Sequence, residues 1–134
     1  MIVIIDANVA IAGVLSRGLC EAVMERCLTH HDIVLCEAVL REIEGKLRNK
    51  LRVPRSIVAE YVQMLRSHAT VLPPSEVPEH ACRDPKDLPI LGLVQPGQVD
   101  VIITGDTDLL VLREYAGAKI RSPRGFWELE REGA

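Results

Sequence analysis

Acidic side chains directly follow two of the most apolar segments of this sequence. Asp6 comes immediately after residues 2–5, and Asp106 and Asp108 come soon after residues 101–103. Carboxylates that lie close together without matching lysines repel one another, and a bound divalent cation offsets that repulsion. Ligand sets made only of oxygen atoms favour Mg²⁺ or Mn²⁺. If the fold brings these acids together, the sequence predicts a divalent-metal site.

Three further acids are candidates for the same site. Asp84 and Asp87 precede a predicted helix, and Glu42 lies inside another helix, beside Leu40 and Ile43 but off their apolar stripe. Two divalent ions roughly 3.5–4 Å apart can activate a water and stabilise the leaving oxygen in an attack at phosphorus. The sequence has no evident Ser-His-Asp or Cys-His arrangement, which favours metal-assisted hydrolysis.

The apolar patterns predict the elements that must position these acids. Runs rich in apolar and β-branched residues predict strands at 2–5, 33–35, 69–72 and 99–104, and a short fifth strand is predicted at 119–121. Helical spacing of apolar residues predicts helices at 19–28, 37–48 and 54–68. Further helices are predicted at 9–15, 87–94, 107–113 and 123–132. Strands that alternate with helices, without a hairpin signal, indicate an α/β fold, a three-layer α/β/α sandwich with a mostly parallel five-stranded sheet.

In such a sheet, ligands bind outside the carboxyl ends of the strands, where the strand order reverses. Asp6 and Asp106 would project toward that edge from two strands, which favours metal binding when the two are considered together. Taken singly, each is also a suitable N-cap for the helix that follows it. Glu42 has an alternative partner in Lys46, four residues further on. Asp84 is expected to begin an Asp-Pro turn and is left out of the ligand set.

The composition predicts one domain, residues 1–134, with a formal net charge of −3. That charge excludes nucleic-acid binding through overall charge alone, so a polyanion would have to be bound locally. One basic cluster runs through residues 46–55. It consists of Lys46, Arg48, Lys50, Arg52 and Arg55. The cluster fits either a solvated helix junction or a contact for RNA phosphates or an acidic partner segment.

No apolar run reaches the roughly 20 residues that cross a bilayer, and the start of the chain does not resemble a signal peptide. The four cysteines lack the spacing of a zinc site. We therefore expect free thiols and a cytoplasmic protein without a membrane partner.

Four motifs in this order resemble the PIN-domain ribonucleases. They are Ile-Ile-Asp-Ala-Asn at 4–8, Leu-Arg-Glu-Ile at 40–43, Cys-Arg-Asp-Pro-Lys-Asp at 82–87 and Ile-Thr-Gly-Asp-Thr-Asp-Leu-Leu at 103–110. The resemblance covers nearly the whole chain. It is closest to the VapC-like toxins of prokaryotic toxin–antitoxin pairs.

Carried over by position, the resemblance implies catalytic acids, with Asp6, Asp87 and Asp106 as metal ligands. The full catalytic set is Asp6, Glu42, Asp87 and Asp106, supported by Asn8, Thr104 and Asp108. The resemblance also implies a Mg²⁺- or Mn²⁺-dependent endoribonuclease that leaves 5′-phosphate and 3′-hydroxyl ends. Its expected partners are an RNA substrate, a cognate antitoxin and a second copy of the chain in a homodimer.

The sequence departs from the family pattern at two places and leaves two rival interpretations. Pro89 follows the Asp87-Leu88 pair, and residues 95–98 replace a small apolar helix end, which puts the placement of Asp87 in question. A phosphoryl-transfer domain also carries an acid after its first strand, but Asn8 stands where a phosphatase of that type needs a second aspartate. The other rival is a non-catalytic PIN-fold protein that acts by binding a partner or RNA.

Overall fold

The computed structural model describes residues 1–133, so Ala134, the last residue of the predicted domain, lies outside the described residues. This part of the chain contains six strands in one sheet. They are β1 (Ile2–Ile5), β2 (Asp32–Leu35), β3 (Ala69–Val71), β4 (Val101–Ile103), β5 (Glu114–Tyr115) and β6 (Ala118–Arg121). Their spatial order is β3-β2-β1-β4-β6-β5.

The centre of the sheet is parallel and buried on both faces. β1 pairs with β2 on one side and with β4 on the other, and all three strands run in the same direction. Ile4 and Ile102 are fully buried, as expected for β-branched runs in a parallel sheet covered by helices. The strand order reverses between β1 and β4, which therefore flank the position where such sheets bind ligands.

Helices connect the strands and cover the sheet. The α-helices are α1 (Ala7–Leu15), α2 (Leu19–His30), α3 (Glu37–Gly45), α4 (Arg55–His68), α5 (Leu88–Gly92), α6 (Val94–Gly97), α7 (Thr107–Leu110) and α8 (Pro123–Gly133). α1 packs against α2 and α3, and α2 also contacts α8. Phe126 of α8 is fully buried and contributes the largest side chain of the core. The predicted α/β class with a mostly parallel sheet is confirmed.

The predicted count of five strands was wrong, because the described chain contains the additional strand β5. β5 and β6 form an antiparallel hairpin around Ala116 and Gly117, which have φ values of +48° and +90°. Two-residue hairpins favour positive φ at both turn positions, usually with Asn-Gly or Asp-Gly. Alanine at the first position hides this signal, since a residue with a Cβ adopts positive φ only when its surroundings compensate the strain.

The helix predicted at 87–94 is divided in the structure. A 3₁₀ turn, Pro85–Asp87, leads into α5, and α6 follows as a separate short helix. Pro89 lies in the first turn of α5, where its missing N–H costs no helical hydrogen bond. α6 ends at Gly97, and the following residue, Gln98, has a φ of +52°. Pro89 is therefore compatible with a helical segment immediately after Asp87.

In two other predicted helices, the α-helical part ends earlier than expected. The helix predicted at 37–48 becomes α3 followed by a π-helical turn, Lys46–Lys50. The helix predicted at 107–113 ends at Leu110, and Arg113 has a φ of +64°. Single π-helical turns within α-helices occur frequently at functional sites.

All four cysteines are free thiols, and three of them, Cys27, Cys36 and Cys82, are buried. No single helix among residues 1–133 has the length and apolar composition needed to cross a membrane. α1 and α2 meet that composition only when joined across a bend of 108°.

Candidate metal centre

The sheet places Asp6 and Asp106 at the same edge, although about 100 residues separate them. Ile5 of β1 pairs with Ile103 of β4, so Asp6 and Thr104 leave the sheet side by side. The backbone N–H of Asp6 donates a hydrogen bond of 2.9 Å to the carbonyl of Ile103. This pairing extends the β1–β4 contact one residue beyond the strands and fixes the start of both loops.

Thr104 joins the two acidic loops through its side chain. The residue is fully buried. Its Oγ1 donates to Asp6 Oδ2 at 2.7 Å and accepts from the backbone N–H of Asp106 at 3.0 Å. The hydroxyl thus orients the Asp6 carboxylate and holds the Asp106 backbone beside it. Asp6 makes no side-chain cap for α1, and its carboxylate is instead held by the Thr104 hydroxyl.

Asp106 caps a helix with one of its carboxylate oxygens, and its other oxygen has no protein donor within residues 1–133. It is the N-cap of α7, where its Oδ1 accepts from the backbone N–H of Asp108 at 2.8 Å. The capping interpretation of Asp106 is therefore correct for one oxygen. Its Oδ2 accepts no hydrogen bond from a protein donor within residues 1–133, and the carboxylate lies next to that of Asp87.

Asp87 brings a second buried carboxylate to this edge, beside the half-buried Asp106. It ends the 3₁₀ turn and precedes α5, and only 7% of the residue is exposed. Its only side-chain donor within the described chain is the thiol of Cys82, with a long Sγ to Oδ2 distance of 3.9 Å. The placement of Asp87 that Pro89 had put in question is therefore beside Asp106, inside the site.

Burial and mutual repulsion raise the pKa of both buried aspartates. Desolvation is the main cause of the raised pKa of Asp6, and Glu42 and Asp106 add to it, while the Thr104 hydrogen bond acts in the opposite direction. Desolvation and the neighbouring carboxyl of Asp106 raise the pKa of Asp87 from 3.8 to about 7. Asp6, Asp87 and Asp106 have no basic side chain in ion-pair contact in residues 1–133, and a divalent cation would supply the missing positive charge.

Asp84 also belongs to this cluster, although the sequence favoured a simple turn. Its side chain does accept from the backbone N–H of Lys86 at 3.0 Å, as a turn-initiating aspartate does. Nevertheless, one carboxylate oxygen from each of Asp84, Asp87 and Asp108 lies within 4.8 Å of the others. The spacing of Asp84 and Asp87, three residues apart across a tight turn, was the available sequence signal.

Asp108 contributes a half-buried carboxylate with one weak partner. Arg83 approaches Asp108 Oδ1 at 3.7 Å, but its side chain is 89% exposed. An ion pair so exposed is screened by water and compensates little charge. The cluster therefore keeps an excess of negative charge and consists of the oxygen donors that Mg²⁺ and Mn²⁺ prefer.

Glu42 and Asn8 lie at the side of this pocket and share one cation. Lys46 Nζ donates to Glu42 Oε2 at 2.9 Å and to Asn8 Oδ1 at 3.0 Å. The i,i+4 partner anticipated for Glu42 is therefore present. Asn8 is exposed and makes no side-chain hydrogen bond to the acids within the described chain, in contrast to Thr104.

Two of the five residues of the basic cluster at 46–55 form ion pairs. Lys46 pairs with Glu42, and Arg48 pairs with Glu44, with a distance of 3.1 Å from Arg48 Nη1 to Glu44 Oε1. Lys50, Arg52 and Arg55 are exposed and form no ion pair among residues 1–133. Arg52 has a φ of +54°, so the chain turns sharply here between the π-helical turn and α4.

A cavity of about 540 Å³ lies at the opposite edge of the sheet from the acidic cluster. Met1, Asp100 and Lys119 line it, at the amino ends of the central strands. Asp84, Asp106 and Asp108 at the carboxyl edge are half-buried and can be reached from solvent, which suits a polymer that passes across the site.

The comparisons with known proteins agree with this geometry. A PIN-domain family model matches residues 2–108. The chain therefore belongs to the PIN-domain family, which confirms the resemblance inferred from its four motifs. PIN domains are generally nucleases, and the chain has an acidic cluster.

One solved structure shares the fold at low sequence identity. It is the crystal structure of VapBC2 from Rickettsia felis bound to a DNA fragment from their promoter, with a TM-score of 0.63 and 9% identity. The alignment covers 91% of this chain and 98% of the other. No curated protein matches the chain by sequence.

Proposed function

We propose that this protein is a Mg²⁺- or Mn²⁺-dependent endoribonuclease that hydrolyses RNA phosphodiester bonds. The observation that carries the proposal is that Asp6, Asp87 and Asp106 lie at one edge of the sheet without a basic partner among residues 1–133. Asp87 also belongs to the group Asp84, Asp87 and Asp108, whose carboxylate oxygens lie within 4.8 Å of one another. Such a cluster is costly to keep charged in the absence of a cation. Its all-oxygen chemistry and open position fit a metal-dependent nuclease of the PIN family.

Within this proposal, each side chain has a distinct role. Asp6, Asp87 and Asp106 would hold the cation, and Thr104 keeps the Asp6 carboxylate in one orientation. A bound divalent ion supplies Lewis-acid activation at the phosphate and a water poised for in-line attack. Glu42 would complete the pocket and orient that water.

The exposed basic residues would place the RNA. Lys50, Arg52 and Arg55 are free of protein partners within the described residues and can contact phosphates. Such contacts position a strand without reading its sequence. Aromatic residues make up only 3% of the chain, so base stacking contributes little and binding should depend strongly on salt.

We further propose that the protein is the toxin of a toxin–antitoxin pair, acting in the cytoplasm as a homodimer that a cognate antitoxin silences. The shared fold with VapBC2 of Rickettsia felis supports this assignment. Growth arrest on expression, relieved by Asp6→Asn, is the expected result. Arrest that persists in the Asp6→Asn variant would favour the alternative, a non-catalytic protein that acts by binding.

The direct test compares RNA cleavage by the wild-type protein with cleavage by Asp6→Asn. A structured RNA is incubated with Mg²⁺ or Mn²⁺, and product ends are mapped for 5′-phosphate and 3′-hydroxyl groups. We expect Asp6→Asn to lose more than about 100-fold in rate, since even residues behind metal ligands cost 10–100-fold. Asp32→Asn is the matched control, because Asp32 is an exposed aspartate at the amino end of β2. Equal cleavage by wild type and Asp6→Asn would refute the assignment.

A further inference from the structure

The side-chain ammonium of Lys46 lies at one side of the acidic pocket, next to Glu42 and Asn8. The ammonium donates to Glu42 Oε2 at 2.9 Å and to Asn8 Oδ1 at 3.0 Å. Asn8 lies in the first turn of α1, two residues after Asp6, whereas Glu42 lies in α3. The ammonium therefore connects two elements of the site, in addition to closing an i,i+4 pair on one helix.

Compensation of charge differs between the two sides of this pocket. On the Asp6 side, the acids have no basic side chain in ion-pair contact within residues 1–133. On the Lys46 side, the Glu42 carboxylate has a full positive charge at hydrogen-bond distance. The two sides are close enough to interact, because Glu42 contributes to the raised pKa of Asp6. One cation is thus built in, and the remaining acids still need another.

We propose that Lys46 is a positioning residue whose ammonium fills the Glu42–Asn8 side of the pocket, so that the pocket takes one divalent ion and excludes a second. This inference rests on the proposed metal-dependent function. An ammonium is a compact point charge with three donors, suited to oxygen atoms that would otherwise attract Mg²⁺. Without it, the carboxylate of Glu42 and the amide oxygen of Asn8 become oxygen ligands of the kind that Mg²⁺ and Mn²⁺ prefer.

The pair can be altered without endangering the fold. The side chains of Lys46 and Glu42 are 35% and 39% exposed, and ion pairs with this exposure contribute little to stability. Lys46→Met keeps most of the side-chain length and removes the charge. Lys46→Arg keeps the charge and serves as the conservative rescue. Lys119→Met makes the same change of net charge at an exposed position of β6, beside the cavity at the opposite edge.

The experiment counts bound Mn²⁺ ions on the full chain by the loss of the free-Mn²⁺ electron paramagnetic resonance signal during titration. We expect one ion per chain in the wild type, in Lys46→Arg and in Lys119→Met. Lys46→Met should bind two, because Glu42 and Asn8 then face the solvent without a cation. Circular dichroism of each variant confirms that the secondary structure is retained.

The alternative outcomes separate this inference from the proposed function. Two ions in the wild type, or one ion in Lys46→Met, would overturn the role of Lys46 and leave the metal-dependent nuclease intact. A second ion in Lys119→Met as well would show a general effect of net charge and would also overturn it. If no variant binds an ion, the proposed function fails and the inference fails with it.

Discussion

Thr104 orients Asp6 from the neighbouring strand: its Oγ1 donates a 2.7 Å hydrogen bond to Asp6 Oδ2, and the two residues are 98 positions apart. The same oxygen accepts from the backbone N–H of Asp106. One buried hydroxyl therefore sets both the direction of a carboxylate and the path of the next acidic loop. Residues behind a metal site often have this function.

Replacing Thr104 by valine should weaken the metal site with little change of shape. The valine lacks the donor to Asp6 and the acceptor for Asp106 N–H, so we expect a 10–100-fold loss of Mn²⁺ affinity. Leaving these buried polar groups unpaired should also cost about 1–3 kcal/mol in the free energy of unfolding. Calorimetric titration with Mn²⁺ and urea denaturation measure the two effects. Thr104→Ser, which keeps the hydroxyl, should resemble the wild type, and equal losses in both variants would contradict this role.

The raised pKa of Asp87 predicts how the stability of the metal-free protein depends on pH. Because the folded-state pKa is about 7 against an ordinary value of 3.8, the folded chain holds a proton that the unfolded chain releases over this interval. The free energy of unfolding should therefore fall as pH rises from about 4 to 7. Asp87→Asn should remove much of this decline. Urea denaturation in the presence of a chelator at pH 5 and pH 7.5 tests this prediction. The same decrease in unfolding free energy between the two pH values in the wild type and in Asp87→Asn would rule it out.

Divalent ions should counteract the loss of stability of the metal-free protein at higher pH. A cation at the carboxylate cluster binds the ionised form of Asp87, so added Mn²⁺ should stabilise the wild type more at pH 7.5 than at pH 5. The shift in unfolding midpoint between chelator and Mn²⁺ measures the effect at each pH. Asp32→Asn should behave like the wild type, because Asp32 lies at the other end of β2. A stabilisation equal at both pH values would show that the ion does not bind these carboxylates.

Asp84 should contribute to ion binding as well as to its turn. In Asp84→Asn, the amide oxygen can still accept from Lys86 N–H, so the turn and the fold should be preserved. The loss of one negative oxygen near Asp87 and Asp108 should lower the Mn²⁺ affinity about tenfold. Calorimetric titration gives the affinity. An unchanged affinity would mean that Asp84 serves the turn alone.

Lys50, Arg52 and Arg55, which form no ion pair among residues 1–133, should account for much of the salt dependence of RNA binding. For single strands, three phosphate contacts give a slope of about −2 in a plot of log K against log salt concentration. The triple variant with Lys50, Arg52 and Arg55 each changed to Gln should flatten this slope by about that amount. Fluorescence anisotropy with a labelled RNA, in the Asp6→Asn background to prevent cleavage, measures it. Arg48, which is paired with Glu44, provides the control variant Arg48→Gln with a smaller effect.

Gly92 should be required for the packing of the segment that carries Asp87. A Cβ at this position would lie 2.4 Å from the backbone oxygen of Ser75, so Gly92→Ala must displace the loop or α5. We expect a loss of about 1–3 kcal/mol in the free energy of unfolding. Gly45→Ala is the control, because nothing lies within 4 Å of its Cβ position and the residue is helical. It should gain up to about 1 kcal/mol, and similar values for both variants would contradict the packing argument.

The sequence was most informative where one signal dominates locally. Residues 2–5 and 101–103 are uninterrupted β-branched runs, and they form the two buried strands that flank the site. The periodic apolar residues of α2 and α4 likewise predicted long helices correctly. Such elements depend on apolar patterns that extend over many residues, so errors at single positions matter little.

The predictions failed where a backbone conformation needs support from distant residues. Ala116 adopts positive φ in the β5–β6 turn, and no local preference of alanine favours it. At the break between α5 and α6, Gly92 packs so closely against the loop at Ser75 that a Cβ would be 2.4 Å from the Ser75 backbone oxygen. Contacts of this kind involve residues far apart in sequence, which local patterns do not record.

By itself, the sequence determined most of the strands and helices and the acids at their ends, because apolar periodicity and residue type act over short distances. Only the tertiary structure decided which acids meet and which cations they have. It paired β1 with β4, placed the Thr104 hydroxyl on Asp6, added Asp84 to the cluster and directed Lys46 to both Glu42 and Asn8. Charge compensation depends on distances between side chains from separate elements, and the packing of the sheet and helices sets those distances.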